Sequence, residues 1–139
     1  MFLPDVNIWL AASWNGHSNH SEAAKWLNEA KSSIYFCRIT QLAFLRLVTH
    51  PSIMGPDALS RSKAWSAYKS IHSDSRIGFL EEPDSIESFF ESLSNRRDKS
   101  HRLWTDDYLA AFAKAANLKL VTFDKALLRR YPGITISIS

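Results

Sequence analysis

The sequence predicts an α/β domain with a mostly parallel central sheet of about five strands flanked by helices. Three observations carry that expectation. Short β-rich runs alternate with helix-length segments along the chain. "SIYFCRIT" (residues 33–40) is almost continuously apolar, as strands covered on both faces are. And 139 residues, 45% of them hydrophobic, suffice to bury a real core in one domain.

Each element has its own signals. "MFLPDV" reads as a short extended run, because Pro4 discourages a helix. A helix is expected from Ser18 or Asn19, with Ala23, Trp26, Leu27 and Ala30 on one face. "SIYFCRIT" is the next strand, and "TQLAFLRLVTH" follows as a helix with a Leu42, Leu45, Val48 stripe, ending before Pro51. Pro56 suits the first turn of a helix whose core flank runs through Ala58, Arg61, Trp65, Tyr68 and Ile71. "RIGFLEE" is a strand, and Pro83 and Asp84 start the helix "SIESFFESLSN". "TDDYLAAFAKAAN" is the strongest helix, with Thr105 as cap, two acids at its positive end and alanines in its middle. "LKLVTF", "DKALLRRY" and "GITISIS" complete the chain as strand, short helix and strand.

Composition narrows the function classes. Seventeen basic side chains against fourteen acidic ones give a net charge of +3, which permits a polyanionic partner without requiring one. The lone Cys37 excludes an internal disulfide and a cysteine-based zinc site, and reads as a buried thiol in a reducing, cytoplasmic setting. The apolar start lacks a basic leader, and no run approaches a membrane span. His17 and His20 have no third ligand in view and read as surface or capping residues.

Three acids stand out by topology. Asp5 ends the first strand, Asp124 ends "LKLVTF", and Asp106 begins the helix leading back to that strand. In a parallel α/β sheet all three fall at the carboxyl rim of the strands, where ligands bind. Taken singly, Asp5 serves a turn equally well, Asp106 a helix N-terminus and Asp124 a cap. Together they repel unless a proton, a Lys or Arg, or a hard cation intervenes, and oxygen-only ligands favour Mg²⁺ or Mn²⁺ over zinc.

"FLPDVNIWLAA", "ITQLAFLRLVTHP" and "WTDDYLAAFAKAANLKLVTFDKAL", in that order, resemble the PIN-domain ribonucleases, in particular the VapC-like toxins of toxin–antitoxin pairs. The resemblance covers almost the whole chain. It implies a three-layer fold, a Mg²⁺- or Mn²⁺-dependent endoribonuclease acting on RNA, a cognate antitoxin that enters the active cleft, and a homodimer. By position it implies that Asp5, Asp106 and Asp124 are metal-binding catalytic acids. Asn7 matches the polar residue after the first acid, and Thr122 matches the hydroxyl of the T-x-D segment, a substrate or supporting contact.

Gln41 stands where many relatives carry glutamate, keeping a hydrogen-bonding role without the charge. Asp107, beside Asp106, either restores part of that charge or points elsewhere, since successive helical residues diverge by about 100°. Arg46, Lys125, Arg129 and Arg130 are candidate phosphate contacts, and "NRRDKSHR" (residues 95–102) a candidate RNA-approach loop. An aspartyl phosphatase is disfavoured because Asn7 replaces its second acid, and a phospho-receiver because "SIYFCRIT" ends without an acceptor aspartate. A noncatalytic RNA- or protein-binding module stays open because of Gln41.

Overall fold

The computed structural model describes residues 1–138. Five strands, β1 (Phe2–Pro4), β2 (Ile34–Phe36), β3 (Ile77–Phe79), β4 (Lys119–Thr122) and β5 (Thr135–Ser137), form one sheet in the order β3-β2-β1-β4-β5. Every pairing is parallel, with Pro4 opposite Val121, Phe36 opposite Phe79 and Thr122 opposite Ser137. All strand ends that carry a following helix therefore share one rim. The central-sheet reading holds, and its last strand stops short of Ser139, which lies outside the described residues.

Helices cover both faces. On one side α1 (Val6–Ser13), α2 (His20–Glu29), α3 (Arg38–Val48) and α5 (Arg61–Ile71) close over a core of Trp9, Phe36, Phe44, Ala64, Tyr68 and Ile77. Trp9 stacks on Phe36 at 3.9 Å between ring centroids, and Tyr68 meets Phe36 edge-on at 4.9 Å. On the other side α6 (Ile86–Ser94), α7 (Trp104–Ala115) and α8 (Lys125–Arg130) pack over Leu3, Leu109, Phe112, Leu120 and Leu127. The short α4 (Pro51–Met54) and a 3₁₀ turn (Gly55–Asp57) join α3 to α5.

Five local expectations are corrected. α1 was not anticipated, because its buried run Ile8, Trp9, Leu10, Ala11 is too uniformly apolar to show helical periodicity. Its start is fixed by the Asp5 side chain, which accepts the Asn7 and Ile8 amide hydrogens. α3 begins at Arg38, and Thr40 Oγ1 accepts the Cys37 N–H at 3.0 Å, setting a phase that buries Gln41, Phe44 and Val48. Leu42 is left 54% exposed, so the expected Leu42–Leu45–Val48 stripe is not the core face.

Pro56 lies in the 3₁₀ turn rather than in α5, whose first turn is capped by Ser60 Oγ accepting from Lys63 N–H. Trp65 of α5 is 46% exposed while Ala64 and Tyr68 are buried, so it is not part of a core stripe. α7 starts at Trp104, which puts Thr105 inside the first turn instead of at the cap. Asn117, at φ 57°, then turns the chain from α7 into β4, using the left-handed conformation that asparagine tolerates.

A partly buried ion pair ties α7 to α8. Arg130 grips Asp107 in a two-pronged pair, Nε to Oδ1 at 3.0 Å and Nη2 to Oδ2 at 3.1 Å. Tyr131 adds its hydroxyl to the same carboxylate. This contact pushes the Arg130 guanidinium well above its ordinary range. Asp107→Asn leaves the guanidinium without its counter-charge, and the expected cost is about 3 kcal/mol of unfolding free energy, measured by urea denaturation. A loss near zero would show that the pair carries no structural weight.

Candidate active site

The parallel pairing of β1 with β4 decides where the acids meet. Asp5 directly follows β1, and its N–H donates to the Val121 carbonyl at 2.9 Å. One Asp5 oxygen, Oδ1, accepts the Asn7 and Ile8 amides at 3.0 and 3.2 Å. The other, Oδ2, accepts the Thr122 hydroxyl at 2.5 Å. Thr122 Oγ1 in turn accepts the Asp124 N–H at 3.0 Å. Asp124 caps α8, its Oδ1 taking the Ala126 and Leu127 amides at 2.8 and 3.3 Å. A single hydroxyl thus links residues from the two ends of the chain.

Asp106, half-buried in the first turn of α7, joins this group through its field. Burial is the main cause that raises its pKa, and the neighbouring charges of Asp124 and Asp107 push the same way, partly opposed by Arg130. Asp5 is raised further, from 3.8 to about 6. Burial again dominates; the hydrogen bonds from Thr122, Ile8 and Asn7 work against it, and Asp106 adds a smaller repulsion. Among the described residues the ion pairs are Asp74–Arg76 and Asp107–Arg130, so none of the three rim acids has a direct basic partner.

Several other expected participants stand outside this hydrogen-bonded linkage. Asp107 does not supplement the rim, because Arg130 and Tyr131 occupy its carboxylate. Gln41 is buried at the start of α3, with its carbonyl accepting from Arg38 Nη1 and its side chain near the Tyr68 hydroxyl. Neither contact reaches Asp5, Asp106 or Asp124. Arg46 is exposed and sits eight residues after Arg38, roughly 12 Å along the axis at 1.5 Å per residue, in a groove with Leu42, Arg61 and Trp65.

Asn7 is exposed, and it is its backbone N–H that serves Asp5. His17 and His20 take local roles as expected: His17 Nδ1 accepts the Asn19 N–H, and His20 Nδ1 meets the Ala11 carbonyl at 2.7 Å. Arg38 and Tyr68 escaped the sequence reading as the partners of Gln41. An arginine three residues before a glutamine on one helix was the available signal for the first; the second comes from α5 and left none.

The donor set suits a hard divalent cation in chemistry more than in present arrangement. Its donors are carboxylate oxygens alone, which match Mg²⁺ or Mn²⁺. The raised Asp5 and Asp106 carboxyls mark a place where negative charge lacks compensation. Yet among the described residues no three His, Cys, Asp or Glu side chains are gathered closely enough to hold an ion as they stand. Asp5 and Asp124 each commit an oxygen to capping a helix, so the acids border one rim without closing into a cage.

Known proteins with this pattern agree with the geometry. The family model described as "PIN domain" matches residues 2–133. Ribonuclease VapC41 of Mycobacterium tuberculosis is 38% identical over 144 residues, spanning 99% of this chain and 98% of its own length. Ribonuclease VapC39 of the same organism is 31% identical over 127 residues, spanning 90% and 89%. Among solved structures, M. tuberculosis VapC20, described as a sarcin–ricin loop cleaving toxin, superposes with a TM-score of 0.70 at 13% identity, covering 96% of each chain. VapBC2 of Rickettsia felis, bound to a DNA fragment from its promoter, superposes at 0.69 with 15% identity, covering 99% of this chain and 98% of that one. With its parallel sheet, its rim acids and a family match over nearly its full length, the chain belongs to the PIN-domain family.

Proposed function

We propose that this protein is a Mg²⁺- or Mn²⁺-dependent endoribonuclease of the VapC type, the toxin of a toxin–antitoxin pair. The observation that carries the reading is the Asp5–Thr122–Asp124 linkage, with the Asp106 charge beside it. Near-full-length similarity to ribonucleases VapC41 and VapC39 supports the reaction class. The reading includes a cognate antitoxin that blocks the rim, a homodimer, and action in the cytoplasm. Among the described residues no helix is long and apolar enough to cross a membrane.

The chain's own residues do the positioning. Thr122 and two backbone amides fix the Asp5 carboxyl, and two further amides fix that of Asp124. Asp106 approaches from α7 and completes the acidic border. Asp5, Asp106 and Asp124 would hold the divalent ion, which would supply a lowered pKa for water and charge compensation at the phosphate. The residues act as holders and orienters, with no covalent step assigned to them.

One observation favours a second reading, a PIN-like module that binds RNA or protein without cutting. Gln41 brings no charge, and its carbonyl is already engaged by Arg38. Turnover separates the two readings. With Mg²⁺ and RNA, the parent protein is expected to cleave, and Asp5→Asn and Asp106→Asn to lose on the order of 100-fold or more in rate while keeping their fold. Equal cleavage by all three would refute the site, and metal-dependent cleavage by none would favour the binding module.

A linkage experiment tests the electrostatics independently of activity. The folded-state pKa of Asp5 lies above its unfolded value, so its contribution to stability is fully present below 3.8 and lost as pH rises through about 6. The displacement corresponds to roughly 3 kcal/mol. In chelator, Asp5→Asn is therefore expected to be stabilised relative to the parent above pH 7, with the advantage fading toward pH 4, in paired urea titrations. Mg²⁺ should narrow the gap at high pH by favouring the ionised carboxylate. A gap that does not vary with pH would contradict the raised pKa.

A further inference from the structure

A concave site of about 210 Å³ lies next to the acidic rim and plays no part in the cation site. Its lining includes Arg96, Lys99 and His101 from the connection between α6 and α7, Trp104 from the start of α7, and Arg130 from α8. Trp104 is 57% exposed although Phe90 of α6 braces it edge-on, with the ring centroids 6.3 Å apart. A single exposed aromatic is ordinary on a protein surface. One beside a cluster of cations is the combination that single-stranded nucleic acid selects, where bases stack and phosphates pair with charge.

The site keeps a positive balance once its acids are counted. Asp98 also lines it, with Oδ1 taken up by the Ser100 N–H at 2.9 Å. Asp107 is consumed by Arg130. Arg96 and Lys99 are exposed and outside the ion pairs found among the described residues; Arg96 Nε donates to the Leu93 carbonyl at 2.9 Å and its guanidinium lies 5.8 Å from the Tyr131 ring. The fold also fixes the site's nearness to the acids. Trp104 precedes Asp106 by two residues within the first turn of the same helix, and the Arg130 charge is felt by the Asp106 carboxyl.

We propose that this cavity is a nucleotide subsite for unpaired RNA, in which a base stacks on Trp104 and the adjoining phosphate is held by Arg96 and Lys99. The inference rests on the reading of the protein as RNA-directed and deepens it: the substrate is a strand segment with splayed, accessible bases, not a continuous duplex. Stacking on an indole tolerates any base, so the subsite selects strand state instead of sequence. Trp104 is a positioning residue here, placing the strand beside the acids without touching the reacting atoms.

The test measures binding with cleavage switched off. The full chain in EDTA is titrated against a fluorescein-labelled single-stranded oligoribonucleotide of about 12 nucleotides, and against the same strand annealed to its complement, by fluorescence anisotropy. Trp104→Ala is expected to weaken single-strand binding roughly tenfold, Trp104→Phe to restore most of it, and the duplex to respond little. Arg96→Ala with Lys99→Ala should make the salt dependence shallower by roughly 0.7 per lost phosphate contact. Trp65→Ala, an exposed tryptophan on the opposite face, should bind as the parent does. Unchanged single-strand affinity in Trp104→Ala, or equal losses for strand and duplex, would overturn the subsite whatever the cleavage assays give. Trp104-dependent binding by a protein that never cuts would instead retain the subsite and remove the nuclease.

Discussion

The parallel pairing of β1 with β4 is the constraint on which the rest depends. It places Pro4 opposite Val121, so the residues that follow each strand emerge side by side at one rim. Asp5 and Thr122 then meet through a direct hydrogen bond although 117 positions separate them. A sheet order that put another strand between β1 and β4 would leave each acid as an ordinary helix cap. Local chemistry supplies the carboxylates; strand order makes them neighbours.

The rim acids are divided between two duties that pull against each other, and Asp5 carries both. As caps, Asp5 and Asp124 satisfy amide hydrogens that would otherwise be unpaired at helix starts. As neighbours, Asp5 and Asp106 are held out of water, and Asp106 is crowded by like charge. A fold that maximised stability would place a lysine or arginine among them. This one assigns Arg130 to Asp107 instead, one position along the same helix. Two adjacent aspartates thus serve opposite ends, Asp107 locking α7 to α8 and Asp106 leaving an uncompensated charge at the rim. Uncompensated acids at the mouth of a parallel sheet are a standing demand for a cation.

How much of this was legible in the sequence follows from what each signal depends on. The alternation of strands and helices was readable because burial imposes its own period on each. The three acids were readable because strand ends and a helix start are local features, and parallel topology does the rest. α1 was not, since its four consecutive buried residues, Ile8 to Ala11, show no helical period. The α3 phase was missed because two of its four buried residues are Thr40 and Gln41, which a hydrophobic count passes over. The fate of Asp107 hung on Arg130 and Tyr131, contacts made across 23 and 24 positions that no local pattern records. The exposure of Trp65 and Trp104 was equally hidden, since a tryptophan's share of a core depends on helix rotation.

The central claim is that Asp5, Asp106 and Asp124 hold a divalent cation in common. Electron paramagnetic resonance titration of the protein with Mn²⁺ at neutral pH tests it most directly, because free and bound ion are read separately and no substrate is needed. The account predicts saturable binding by the parent that is abolished in Asp5→Asn and in Asp124→Asn and kept in Asp57→Asn, whose acid lies away from the rim and accepts from Trp14. Mn²⁺ binding of equal strength in all four proteins would contradict it.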